Sequence, residues 1–141
     1  MLGFLLKMWT FPNTAIGLSL VLFNWLLGGR IQRVDGVVEG FGGIITKLLR
    51  MAPTGGGAGA AAMTLGRCII GINRETLDIV RDHEHVHVRQ YEKWGPFFIP
   101  VYFLSSAIAW YKGQHPYLDN IFEVEAYRET TIDDETSTDK N

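Results

Sequence analysis

The chain's 141 residues give room for one compact domain and not for a second. A formal charge of −2 carries no basic excess, which excludes a nucleic-acid partner from the expected functions. A single cysteine, Cys68, rules out an internal disulfide framework and a cysteine-rich zinc finger, and reads as a small buried hydrophobe.

The first apolar block runs from Thr10 to Leu27, with Lys7 before it and Arg30 and Arg33 after it. Pro12, Asn13 and Thr14 read as a helix start and Gly28-Gly29 as its stop. The length is at the short end for a bilayer span, which takes about 20 residues, and Asn13 and Asn24 interrupt it. No small-x-small cleavage site follows, so a removed signal peptide is not expected. Residues 1–29 are therefore expected to form an apolar helix, associated with a membrane or packed on the domain that follows.

From Arg30 to Gly43 short alternating runs break at Asp35-Gly36, a hairpin signal. Ile44 to Met51 fits a short helix or another strand. Pro53 to Ala62, rich in Gly and Ala and free of charge, reads as a loop. Thr64 to Ile72 reads as one strand, and Asn73 or Thr76 caps a helix over Leu77–Trp94 that Gly95-Pro96 ends. A second apolar block, Phe97 to Tyr111, precedes a turn at Gln114–Asn120 and a helix over Ile121–Thr130. Ile132 to Asn141 is polar and acidic and is expected to be a frayed tail. The domain proper is thus placed at 30–130 and the tail at 131–141.

The chemistry concentrates in His83-Glu84-His85-Val86-His87, an H-E-x-x-H sequence in mid-helix. Histidines four apart share a helix face and can ligate one zinc ion, with the intervening glutamate, Glu84, placed as general base toward a zinc-bound water. His85, two residues from each ligand, points away. A third ligand must come from elsewhere, and Glu123 and Glu125 are the candidates. Tyr91, Trp94 and Tyr127 are expected to be packing residues, Arg89, Glu92 and Lys93 a solvated face, and His115 an exposed turn residue.

Here the sequence resembles the gluzincin type of zinc metallopeptidase, in which a downstream helix supplies a glutamate ligand. On that pattern Glu123 is the ligand, with Glu125 as fallback, and Tyr127 stands where the family carries an aspartate. The resemblance is closer to short uncharacterised bacterial proteins with T-L-G, H-E-x-V-H-x-R-Q-Y, W-G-P and F-E-x-E-A-Y stretches, here Thr64–Gly66, His83–Tyr91, Trp94–Pro96 and Phe122–Tyr127. It implies an α+β, minimal zincin-like domain: a small sheet packed on the active-site helix, with the Glu123 helix closing the site and one or two apolar helices added. It also implies a peptide or protein substrate added as a strand along Thr64, Leu65, Gly66 and Arg67. The other reading is a non-catalytic membrane-associated subunit of a larger complex, with or without structural zinc.

If both apolar blocks crossed a bilayer, the Lys- and Arg-rich segment between them would lie on the cytoplasmic side and Glu123 on the other. The three ligands could not then meet. Phe97 to Tyr111 would be only about 22 Å long as a helix against a core of about 30 Å, so it is expected not to cross, leaving the site facing the cytoplasm.

Overall fold

The computed structural model of the chain describes residues 2–52 and 59–138, with side chains described from residue 3 to residue 132. It forms an α+β domain of three layers around a small mixed sheet. In chain order the elements are helix α1 (Leu2–Leu26), strands β1 (Arg30–Val34) and β2 (Val37–Phe41), helix α2 (Gly43–Met51), strands β3 (Ala62–Leu65) and β4 (Cys68–Gly71), and helix α3 (Arg74–Trp94). A 3-10 turn at Gly95–Phe97 leads to α4 (Phe98–Tyr111), and α5 (Ile121–Thr138) follows.

The strand order is β1-β2-β4-β3. The β1–β2 hairpin closes at Asp35 and Gly36, both with positive φ (49° and 79°), as an Asp-Gly primed turn requires. β4 runs parallel to β2, with α2 in the crossover, and β3 pairs antiparallel to β4 as the edge. Alternation along the strands sends Val37, Phe41 and Ile69 toward α3, where they pack with Leu77 and Val88. The intervening residues, Val38 and Ile70, face Val21 of α1 and Ile45 and Leu49 of α2. A third cluster, Tyr91, Phe98 and Phe122, joins α3, α4 and α5.

The expected single strand Thr64–Ile72 is two strands. Gly66 takes φ +63° and turns the chain with Arg67, so the continuous apolar run folds back on itself. The expected Pro53–Ala62 loop lies partly outside the described residues, and Ala62 already belongs to β3. Asn73 caps α3 through its side-chain oxygen, which accepts from the Thr76 N–H at 2.8 Å. The expected tail differs too, because α5 continues as helix through Thr138. α4 is a single helix of 14 residues. Among the described residues, α1 alone is long and apolar enough to cross a membrane.

α1 starts at Leu2, not at Pro12, which lies inside the helix on its exposed side. The polar residues that read as a cap dock the helix instead. The Asn13 amide donates to the Gly95 carbonyl at 3.0 Å, and the Arg67 N–H donates to the Thr14 hydroxyl at 3.0 Å. Near the other end Asn24 is fully buried. Its amide donates to the Phe41 carbonyl and its oxygen accepts from the Ile45 N–H, both at 3.2 Å. Approach is close: a Cβ on Gly17 would come within 2.7 Å of the Cys68 Cβ. Replacing Asn24 with Leu removes both partners from buried backbone groups and should destabilise the fold by about 2–4 kcal/mol in chemical denaturation. Ser19→Ala, on the exposed side, should change little.

Candidate metal centre

α3 presents one side to the sheet and the other to α5, and the H-E-x-x-H residues divide between them. His83 and His87 face α5, where Glu123, buried in the first turn, meets them. His83 Nε2 lies 3.2 Å from Glu123 Oε2, His87 Nε2 lies 3.4 Å from Glu123 Oε1, and the two imidazole Nε2 atoms are 3.2 Å apart. The two carboxylate contacts are to different oxygens. With one ligand atom taken from each residue, all three lie within 4.8 Å of one another. A tetrahedral zinc site with bonds of about 2.0–2.1 Å has edges of about 3.3–3.4 Å, so the three groups need only a small adjustment to share one ion. Three lone pairs converge there, and these residues could hold a metal ion with one tetrahedral position left open.

Hydrogen bonding beyond the triangle sets its orientation. His87 Nδ1 lies 2.8 Å from Gln90 Oε1, an atom that only accepts, so Nδ1 carries the proton and Nε2 is free to ligate. The Gln90 amide in turn donates to the Phe122 carbonyl at 3.0 Å and to Glu125 Oε2 at 2.7 Å, which fixes its orientation and ties α3 to α5. Glu125 is thereby occupied outside the triangle, and of the two acidic candidates Glu123 is the one brought to the histidines. Tyr102 of α4 donates to Glu123 Oε1 at 2.6 Å, and the Tyr117 phenol faces the same carboxylate. Burial, reinforced by the Glu123 charge, holds both phenols well above their ordinary pKa, so they stay protonated donors.

Glu84 is buried, and its Oε2 accepts a 2.6 Å hydrogen bond from the Thr64 hydroxyl on β3. The Tyr91 phenol donates to the Thr64 carbonyl and fixes the same strand to α3. Glu84, His83, His87 and Glu123 share a cleft of about 940 Å³ between β3, α4 and α5. Thr64 and Leu65 line it, whereas Gly66 and Arg67 do not: they form the turn against α1, and the Arg67 side chain pairs with Glu92. The expected substrate edge is therefore shorter, ending at Leu65.

Other expectations divide. His85 lies on the sheet side near Glu39, and its Nε2 is buried with no hydrogen-bond partner among the described residues. His115 sits in a turn, its Nδ1 accepting from the Tyr117 and Leu118 N–H groups, and is not among the three converging ligands. Cys68 is buried, which pushes its thiol up to about 11. Tyr91 packs in the core as expected, but Tyr127 stands over His83 with ring centroids 4.5 Å apart and belongs to the site. Arg89 pairs with Glu129 and Glu92 with Arg67, so that face is not merely solvated. Gln90 was not singled out in the sequence. Its one signal is its place three residues beyond His87, on the same helix face.

Without a metal, burial works against protonated His87, but the Glu123 and Glu84 carboxylates outweigh it and lift the imidazole to about 9. Burial likewise opposes ionised Glu123, yet hydrogen bonds from His83 and His87 hold its carboxyl well below 4.5. A raised histidine stabilises the fold fully below 6.5 and loses that effect as pH rises through 9. A depressed carboxylate stabilises above 4.5 and loses it as pH falls. The metal-free protein should therefore be most stable between 4.5 and 6.5. The gain in melting temperature on adding zinc should grow with pH toward 9, since zinc must displace the His87 proton. In chelator competition, Gln90→Leu should weaken zinc binding by about 10–100-fold, and Glu125→Ala by less than Glu123→Ala.

The chain was compared with protein-family models, curated proteins and solved structures, and it matches none of them.

Proposed function

We propose that this protein is a membrane-associated zinc metallohydrolase of peptidase-like, minimal zincin type. The observation that carries the reading is the convergence of His83, His87 and Glu123, with one possible ligand atom from each all within 4.8 Å of one another, in one cleft with Glu84. Bound there, zinc would supply Lewis acidity to a scissile carbonyl and bring the pKa of a water toward about 7. Glu84, oriented by Thr64 through Oε2, receives the proton of the attacking water as the new C–O bond forms. It then passes the proton to the amide nitrogen as the C–N bond breaks. The backbone of Ala62 and Thr64 faces away from β4, because the Ile72 N–H donates to Ala61 and antiparallel pairs alternate. That edge suits an extended peptide laid beside the motif helix.

Membrane association is supported by the outward faces of α1 and α4, which expose Phe4, Trp25, Phe103 and Trp110 to solvent at 54% or more, beside other large apolar residues. The same faces also favour a second reading, a non-catalytic subunit docked in a larger membrane complex. Zinc-loaded protein incubated with a peptide library separates the two. Wild type should cleave, whereas Glu84→Gln should keep one zinc per chain and its fold but lose at least about 10³-fold in rate. Zinc bound with no cleavage in either protein would leave the subunit reading standing.

A further inference from the structure

α1 is built inside out. Its buried stripe carries Thr10, Asn13, Gly17, Val21 and Asn24, while the rest of its circumference exposes Phe, Leu, Trp, Ile and Met side chains. We infer that α1 lies in the plane of a single lipid leaflet, with the domain on its aqueous side, and does not cross the bilayer. This rests on the membrane association proposed above and specifies its form.

The stripe docks along most of the helix, and the contacts at its midpoint decide the orientation. Thr14, the central residue of Leu2–Leu26, holds the Arg67 N–H, and the Arg67 side chain is ion-paired to Glu92. Beside it, Asn13 holds Gly95, two residues beyond exposed Lys93. A crossing helix would therefore carry a lysine and an Arg–Glu pair to the middle of the hydrocarbon, where charge is disfavoured. An in-plane helix keeps them in water and turns a mainly apolar face to lipid, on which Ser19 donates its hydroxyl proton to the Ala15 carbonyl of the same helix. The lipid-facing surface continues past α1, since Trp9 packs on Phe97 with ring centroids 6.2 Å apart and Phe97 opens α4, whose Leu104 and Trp110 are exposed. Exposed Lys7, in the second turn of α1, and exposed Arg30 and Arg33, just beyond its end, lie where anionic headgroups would meet them.

Trp9, in the N-terminal half of α1, and Trp25, at its C-terminal end, lie about 24 Å apart along the axis. Full-length variants retaining only Trp9 or only Trp25, the other tryptophans replaced by Phe, would be added to phosphatidylcholine–phosphatidylglycerol vesicles with acyl chains brominated at shallow or deep positions. The expected result is equal quenching of both, stronger from shallow than from deep bromines. An N-terminal tag on the otherwise unaltered protein should remain fully open to protease added outside. Tryptophans at unequal depth, or a tag protected by the vesicle, would overturn the in-plane placement and leave membrane association intact. No binding to vesicles, or binding without bromine quenching and with dimers in solution, would overturn both and assign the face to a second copy.

Discussion

Glu39 sits on β2 between Val37 and Phe41, on the strand face that meets α3, and has no exposure to water. Both oxygens of its carboxylate are held by the Arg81 guanidinium, at 2.8 and 3.0 Å, and Gln32 donates from the neighbouring strand. Burial works against the charge, but Arg81 and Gln32 outweigh it and keep the carboxyl below its usual pKa. A two-point clamp of this kind admits one rotation of α3 about its axis, which an apolar contact alone does not impose. His83 lies two residues beyond Arg81, on the far side of the helix, so the rotation that satisfies Glu39 also aims the histidines at α5. The sheet thus sets the direction of His83 and His87 without contact between Glu39 and either ring.

The opposite side of α3 is governed by a second polar junction. Gln90 holds His87 with its oxygen and reaches the start of α5 with its nitrogen, so the imidazole on one helix and the backbone of the other share one side chain. Asn120 does the same for α4. It caps α5 at Phe122 and donates to the Tyr102 carbonyl and the Ser106 hydroxyl. Glu123 therefore reaches the histidines on a helix whose first turn is fixed from two sides.

What the residues declare in advance follows local rules. Two histidines at helical spacing, an Asp-Gly hairpin and an Asn cap depend on a few neighbouring positions, and each is found where expected. The choice of Glu123 over Glu125 came from resemblance, and its physical cause, the Gln90–Glu125 bond, spans 35 residues. The misreadings have the same origin. Pro12, Asn13 and Thr14 look like a helix start because their partners, Gly95 and Arg67, are far along the chain. Gly66 reads as part of a continuous strand because only the pairing of β3 with β4 reveals the turn. Tyr127 looked like core, and it took the placing of α5 to set it against His83.

The docking of α1 has a consequence in time. The helix is made first, yet Thr14 waits for a partner 53 residues later and Asn13 for one 82 residues later. At about 5–20 residues per second, the second interval is roughly 4–16 s, long compared with the formation of the helix itself. Until then Asn13 has no partner, although Thr10 bonds within the helix and Asn24 meets Phe41 and Ile45 after 17 and 21 residues. On the membrane-associated reading proposed above, a bilayer within reach in those seconds would meet the helix before β4 and Gly95 have been synthesised, and the domain would assemble onto an element already in place.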